Sequence, residues 1–410
     1  MKNTLKNAIV LGLAIGLPAI ATAGPASPLA EAPASNPGDW CSWLQSKPGT
    51  IYKNAENPFL QSFNIGARFQ YQTAYVDGQD VNGRDFTDTY DDYRRVRIET
   101  KTEFLRYFTA KIGINAVSDN RNNPAGGGLD WPYEDFDEAY VNFNIKKAFG
   151  VDAFDTLDVQ YGRHKFNMTE EVHMSSKEIY TIERSAIANK LYGSPNRATG
   201  LTLNGSVGAW SATLGIFSGE DDSEFIGGWN DGQAYYFSGA YQHSEELRFV
   251  LDFVQNDQSG ADDYLGYDWA TALNAIYDDG RFGTLATLVV GENNGLNPAR
   301  GGSFHGLVVM PWYWIMEDKL QAVFQYQYAG SQRDQGIRTN SRYVRSQHDN
   351  PLVNDGGGRG DELHTLYAGL NYLICGDNAK IMAGIEYSTL NTPAGDMDAF
   401  TYSLAFRTYF

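Results

Sequence analysis

Two cysteines, six histidines and a single long apolar run are all that this 410-residue chain has of the features that mark disulfide scaffolds, metal enzymes and helical membrane proteins. Cys41 and Cys375 form no CxxC pair and no repeated ligand spacing. His164, His173, His243, His305, His348 and His364 are scattered, without the HExxH spacing of a zinc site. "NGSVGAWSA" carries no nucleophile constellation. No catalytic residue, metal or cofactor is expected, and the chain does not read as an enzyme. The one long apolar run, "AIVLGLAIGLPAIATA", lies at the N-terminus behind Lys2 and Lys6 and closes on Ala21-Thr22-Ala23. A basic start, a short apolar core and small residues at its end predict an export signal over residues 1–23.

Positive charge is also scarce. Lys and Arg number 32 against 50 Asp and Glu, a formal charge of -18. Losing Lys2 and Lys6 with the signal leaves 30 basic residues and a formal charge of -20. That balance opposes general nucleic-acid binding.

What the chain has in abundance is aromatic residues and glycine: 26 Tyr, 22 Phe and 8 Trp with 43 Gly. From Gln61 onward these fall into alternating runs. In "SFNIGARFQYQTAYVD", Phe63, Ile65, Ala67, Phe69 and Tyr71 alternate with Asn64, Gly66, Arg68, Gln70 and Gln72, the period of a strand between unlike surroundings. Sixteen such segments are predicted, from 62–77, 91–102 and 106–117 through to 398–410. Short turns ("NGSVG", "HSEE", "DDGR", "MEDK", "CGDN") interleave with long connections around 78–90, 118–136, 165–196, 219–230, 257–266, 292–303, 330–360 and 390–397. A soluble sandwich would also alternate. Export, loop alternation and length favour an all-β fold, a sixteen-stranded antiparallel transmembrane β-barrel in the outer membrane. A mean hydropathy of -0.41 is compatible, because lumen-facing residues dilute every strand. Closing the first strand on the last removes edges that hydrocarbon cannot hydrate. Outer-membrane lipid and lipopolysaccharide are then the expected surroundings.

The predicted organisation is a signal peptide (1–23), a periplasmic N-terminal leader (24–61) and the barrel (62–410). In the last strand, Phe400, Tyr402, Leu404, Phe406 and Phe410 are expected to face lipid and Arg407 the lumen. Trp312 and Trp314, near the turn "EDK", suit an aromatic girdle at the membrane boundary. Cys41 and Cys375 both fall on the periplasmic side, so a disulfide between them is predicted against two separate thiols.

Selectivity depends on what charges the lumen. The third long connection, Arg163 to Gly200, has mixed periodicity and is expected to fold inward. It carries Arg163, Lys165, Lys177, Arg184, Lys190 and Arg197 against Glu170, Glu171, Glu178 and Glu183. In "YRRVRIETK", alternation puts Arg95, Arg97, Glu99 and Lys101 on the lumen face and Arg94 with Val96 and Ile98 on the membrane face near a boundary. Arg68 reaches the lumen by the same parity. The pore-lining or constriction candidates are therefore Arg68, Arg95, Arg97, Glu99, Lys101, Arg163, Lys165, Glu183, Arg184 and Arg197. Guanidinium donors can replace part of an oxyanion's hydration shell; equally, these groups can simply solvate the lumen and pair with its carboxylates. Arg333, Arg338, Arg342 and Arg345 form another basic patch, at the mouth or against anionic lipid. The acidic loops "DGQDVNGRDFTDTYDD" and "SGEDDSEF" lack ordered calcium-ligand spacing.

At "RRVRIETKTEFLRYFTAKIGINAV", "EAYVNF", "YGRHKFNMTEE", "YTIERS" and "NRATGLTLNG" the chain resembles the phosphate-selective porin O/P family. The resemblance runs over about 60–410, with its specific motifs in the first half. It implies a homotrimeric porin whose third loop narrows each pore, passing small hydrophilic solutes passively, with a mild preference for inorganic anions such as phosphate. By matching, Arg94, Arg95, Arg163, Lys165, Glu183, Arg184, Arg197 and Gly200 take the family's positions, while "TEE" stands where a phosphate-specialised loop is more basic. The alternatives are a general or cation-favouring porin and a structural barrel that anchors a periplasmic partner.

Overall fold

A computed structural model describes residues 40–117, 133–192, 197–220, 227–229, 232–257, 265–295, 297–339, 341–346 and 358–410. The predicted signal peptide and residues 24–39 of the leader lie outside these residues. The chain begins with a short helix, α1 (Trp40–Gln45), and a short strand, β1 (Thr50–Lys53). The first half of the wall is β2 (Leu60–Gln79), β3 (Asp85–Phe104), β4 (Phe108–Asn115), β5 (Asp135–Asn144), β6 (Thr156–His164), β7 (Ala198–Val207), β8 (Trp210–Ser218) and β9 (Gln233–Gln242). The second half is β10 (Leu247–Asp257), β11 (Tyr267–Asp278), β12 (Phe282–Asn293), β13 (Gly302–Met316), β14 (Leu320–Ser331), β17 (Glu362–Leu373), β18 (Ala379–Thr392) and β19 (Gly395–Tyr409). A short antiparallel pair, β15 (Ile337–Arg338) with β16 (Arg359–Gly360), lies in the connection between β14 and β17.

Each wall strand pairs antiparallel with its neighbour, and β19 closes the ring on β2 in a continuous register from Asp398↔Gln79 to Tyr409↔Arg68. The wall is thus a closed sixteen-stranded antiparallel barrel, at the positions the alternation predicted. Its outer face is apolar: Ile65, Phe69, Ile98, Ile112, Leu203, Leu251, Leu288, Leu370 and Ile385 are all exposed. That belt is what hydrocarbon accepts. Phe400, Tyr402, Leu404, Phe406 and Phe410 belong to it, whereas Arg407 is buried inside.

Two connections expected to be long are tight. β2 and β3 are each twenty residues long and leave only residues 80–84 between them, and β18 and β19 are joined through residues 393–394. The polar residues of "DGQDVNGRDFTDTYDD" extend the ladder above the apolar belt instead of forming a loop, since strand pairing satisfies their backbones equally well there.

A second correction concerns Trp312. Val308, Met310 and Trp312 are buried, while Leu307, Tyr313 and Ile315 are exposed, so the tryptophan faces the interior and not the membrane boundary. Gly283, its register partner, makes the room: a Cβ there would lie 2.1 Å from the indole ring. Tyr180 of the third long connection stacks on the same ring at 4.4 Å. Trp314 has the same parity and is half-buried.

The N-terminal segment completes the seam. β19 ends opposite Arg68, and below that point β1 takes up the free edge of β2 at Ser62, Phe63 and Asn64. Ile65 N–H donates to Gly49 O at 2.8 Å, and a Cβ on Gly49 would lie 1.6 Å from the Ile65 carbonyl oxygen. Trp43 lies 6.3 Å, ring to ring, from the terminal Phe410. Cys41 is disulfide-bonded to Cys375 in the turn between β17 and β18, with a Cα separation of 5.0 Å. Such a cross-link typically contributes about 2–4 kcal/mol. Peptide mapping without reductant should therefore recover residues 41 and 375 in one linked fragment. The double variant Cys41→Ser/Cys375→Ser should lose its folded gel mobility at a lower temperature than the unreduced native protein; identical transitions would show that the bond does not hold the seam.

Candidate functional site

The connection between β6 and β7 turns into the barrel and is carried across it by the wall. It contains α3 (Glu170–His173) and α4 (Ala186–Tyr192). On the way in, Phe166 packs on Phe217 and Tyr236 at 5.3 and 6.2 Å. The opening turn of α3 leaves N–H groups to satisfy. Asp252 accepts from Thr169 N–H at 3.1 Å, and Asn274 accepts from Glu170 N–H at 2.9 Å. At the far side Arg68 and Gln70 donate to the Ser176 hydroxyl and carbonyl at 2.6 and 2.9 Å. On the return, Asn371 donates to Tyr180 O, Arg407 to Ile182 O and Tyr267 to Leu191 O, while Gln327 accepts from Ala186 N–H. Burial holds the Glu171 carboxyl above its usual range; it accepts from Ser185 N–H at 2.9 Å and from Gln325 at 3.2 Å, tying the loop's two legs together.

The loop covers one side of the interior only. Lumen-face residues of β9 to β19 such as Ser238, Asp252, Thr287, Gln325, Thr365 and Ser388 are buried. On β3 to β8 more of the lumen face stays open: Glu99, Lys111, Glu138, Tyr140, Asn142, Asp158, Gln160, Asn204 and Thr213 are half-exposed, although Asp92, Arg95, Asp137, Arg163 and Thr202 are buried. Asn142 and Asn204 both donate to Asp158, at 2.5 and 3.1 Å, forming a polar strip down this side. The water-accessible passage therefore runs between the loop and the β3–β8 wall.

Where loop meets wall, charges collect in three groups. In the first, Glu99 receives Arg68 at 2.7 Å, Lys177 at 3.5 Å and Lys111 at 3.6 Å, and Lys111 also pairs with Glu138. In the second, Asp137 is held between Arg97 at 2.8 Å and Arg197 at 2.7 Å. In the third, Glu183 pairs with Arg94 at 2.7 Å and faces Arg342 at 3.8 Å, and Arg342 pairs with buried Asp92 at 2.9 Å. Burial alone would raise the Glu183 carboxyl, but Arg94 and Arg342 hold it well below the usual range. Burial pulls the Lys177 ammonium down, against the opposing pull of Glu99.

A bulge explains why three successive charged positions of β3 share the interior. Gln70 pairs with Arg95 and Gln72 with Asp92, so Tyr93 and Arg94 together oppose Tyr71. Tyr93 stays outside, 5.4 Å from the Tyr71 ring, and Arg94 turns inward. The membrane-face expectation for Arg94 fails because one inserted residue reverses the alternation. A second irregularity, between Gly113 and Ile114, brings Asp137 and Glu138 to the same side.

The ten candidates sort as follows. Arg68, Glu99, Arg97 and Arg197 stand in the first two groups, Glu183 in the third, and Lys101 is exposed on the same wall face. Arg95 is buried and donates to Gln70 at 2.9 Å. Arg163, Lys165 and Arg184 donate to backbone carbonyls of the loop (Arg197, Val172, and Glu171 with Met174), which makes them supports of it; Arg163 also donates to Phe136 O of the neighbouring strand. Lys111, Glu138, Asp137, Asp92 and Arg94 were missed as pore-side residues. Lys111 was legible, since it alternates with Ala110 and Ile112; the acids beside bulges were not.

The seventh long connection also differs from expectation. Its "SRYV" stretch (341–344) folds inward: Ser341, Arg342, Tyr343 and Val344 are buried, and Tyr343 donates to Asp92 at 3.2 Å. Arg342 is thus an interior ion-pair partner and not a charge of the mouth.

Residues 63–241, the first eight wall strands, match the family model for phosphate-selective porin O and P. No curated protein sequence matches the chain significantly. Among solved structures, the chain is similar to the anion-selective porin from Comamonas acidovorans at 12% identity, covering 85% of this chain and 99% of that one, with a TM-score of 0.55. The outer membrane channel DcaP of Acinetobacter baumannii is similar at 12% identity, 88% and 99% coverage and a TM-score of 0.54. Salmonella typhi OmpF, in a complex with daunomycin, is similar at 13% identity, 87% and 99% coverage and a TM-score of 0.54. At such identities these likenesses establish the barrel fold. Among the described residues no group of His, Cys, Asp and Glu is placed to hold a metal ion.

Removing the carboxylate that anchors the loop's return leg should free it. Glu183→Gln leaves Arg94 and Arg342 without that charged partner in a half-buried setting, a change that costs about 1–3 kcal/mol. Limited trypsin digestion of the folded barrel should then cut after Lys177, Arg184 or Lys190. A variant as resistant as the native protein would show that the ion pair does not hold the loop.

Proposed function

We propose that this outer-membrane porin, which carries the phosphate-selective porin O and P domain over its first eight wall strands, passes small hydrophilic solutes by diffusion with a mild preference for inorganic anions. The observation that carries this reading is the order of exposure where the loop meets the wall. Arg68, Arg97, Lys111, Lys177 and Arg197 outnumber Glu99, Asp137 and Glu138. Within the first two groups Lys111 and Lys177 are also the most open members, at 23% and 21% side-chain exposure against 14%, 13% and 5% for the three acids. An anion entering the passage therefore meets ammonium groups first, with the carboxylates lying behind them.

Each lysine is partly neutralised by its carboxylate, so it offers an anion a transient replacement for hydration water and lets it leave again. The preference follows as mild and screened by salt. The printed name of the Comamonas porin, anion-selective, accords with this reading. Assembly as a homotrimer among lipopolysaccharide belongs to the same proposal, on the strength of the family match. Asp158, half-exposed lower on the open wall, favours the second reading, a general or cation-favouring pore.

Reversal potentials across a potassium chloride gradient separate the two. The native channel should be anion-selective at low salt and less so at high salt. Lys111→Glu with Lys177→Glu should move the reversal potential to the cation side without closing the pore. A native channel that prefers potassium would overturn the proposal.

A further inference from the structure

The outer face of the wall is not evenly covered. Across β12, β13, β14, β17 and β18 the apolar belt sinks into a groove of about 630 Å³. That volume falls within the roughly 300–1,000 Å³ of ligand sites. The floor is made of small side chains, Pro311, Ala322, Ala368 and Ala383, and the sides of Phe282, Tyr313, Phe324, Leu370 and Ile385. Strand register produces the hollow. Phe324 and Ile385 both pair with Ala368, and Tyr313 and Leu370 both pair with Ala322, so each alanine lies between two large side chains. Behind the floor, a Cβ on Gly369 or on Gly384 would lie 2.4 Å from the Tyr367 hydroxyl. The buried Tyr367 ring therefore backs the wall here, between the groove and the interior.

Position and charge together specify the occupant. On every strand the lining residues lie in the half next to the short turns, the periplasmic half of an outer-membrane barrel. Phe324, Leu370 and Ile385 are exposed members of the belt that meets hydrocarbon. A hollow between fixed side chains leaves dispersion contacts unmade unless a chain reaches into it. At the short-turn end stands Arg281, next in sequence to Phe282. Its guanidinium lies 5.2 Å from the centre of the Tyr313 ring, which holds it beside the mouth of the groove. Arg281 is exposed, and among the described residues no carboxylate pairs with its guanidinium. A guanidinium at the membrane boundary, above an apolar groove, matches a phosphodiester whose acyl chain enters the groove. The same turn carries Asp278 and Asp279, which disfavour a headgroup of net negative charge and suit one that also bears an ammonium.

We propose that this groove binds one phospholipid of the periplasmic leaflet, with an acyl chain over Ala322, Ala368 and Ala383 and the phosphate of a zwitterionic headgroup at Arg281. The lipid is then a fixed part of the β12–β18 face. The site lies outside the barrel and stands whether the passage prefers anions or cations.

The test uses the full-length barrel refolded in a detergent that strips loosely held lipid, with bound lipid counted by native mass spectrometry as palmitoyl-oleoyl phosphatidylethanolamine is added. One lipid should bind saturably. Ala368→Phe, which puts a ring into the hollow, and Arg281→Gln, which removes about one charge-assisted hydrogen bond, should each weaken binding about tenfold. Ala110→Phe, on the belt at β4 opposite Val141, should leave it unchanged. Unchanged conductance in potassium chloride shows that each variant barrel has folded. Lys111→Glu with Lys177→Glu should bind the lipid as the native barrel does, which separates failure of this site from failure of the anion preference. A native barrel that retains no phosphatidylethanolamine, or an Ala368→Phe barrel that binds it equally well, would overturn the proposal. Tighter binding of phosphatidylglycerol or lipopolysaccharide, abolished by Ala368→Phe, would overturn the choice of a zwitterionic headgroup. A lipid-free native barrel whose oligomer is lost in Ala368→Phe would give the groove to a second copy of the chain and overturn the lipid assignment.

Discussion

Backbone pairing at the seam is the constraint from which the rest of the molecule follows. A membrane-spanning sheet cannot leave an edge in hydrocarbon, because each unpaired N–H and C=O costs several kcal/mol there. β19 therefore runs against β2 from Asp398 to Tyr409, and β1 takes over the edge of β2 that β19 does not reach. Once closed, the wall encloses a space wide enough to be filled from within. The third connection fills part of it, and it needs partners for its own backbone. Gln70, Asn274, Gln327, Asn371 and Tyr267 supply them. Many polar lumen-face residues thus act as hydrogen-bond sockets for a loop, and among the described residues the lumen face stays most open on the β3–β8 side.

This division decides how much could be read from the chain. Alternation located sixteen strands and the lipid face of the last one, because a period of two and an unlike environment on each face leave a direct trace; the inward third connection showed instead as a long stretch where that period is lost. The same alternation failed wherever a local event changed its phase. The bulge opposite Tyr71 turned Arg94 inward, and the irregularity near Gly113 did the same for Asp137 and Glu138. Trp312 misled for another reason. An aromatic near a turn suits a membrane boundary, but parity with Val308 and Met310 and the slot over Gly283 fix it inside, under Tyr180. Loop arginines were the least legible of all. Arg163, Arg184 and Arg342 look alike in sequence, yet two brace carbonyls and the third pairs with Asp92.

The sign of the whole chain is a poor guide to the sign of its passage. A formal charge of -18 summed over 410 residues includes acids on exposed strand ends and turns, where salt screens them within about 10 Å. A solute in the passage responds instead to the few charges that lie close by with little water between. There the acids are set back, each holding a cation in front of it: Glu99 beneath Lys111 and Lys177, Asp137 between Arg97 and Arg197. A carboxylate buried behind an ammonium fixes the position of that ammonium more than it cancels its field at the lumen side, since it lies farther from the solute than its partner does. The acidic residues of this site are therefore what allows a cluster of cations to stand where the loop meets the wall without driving the two apart.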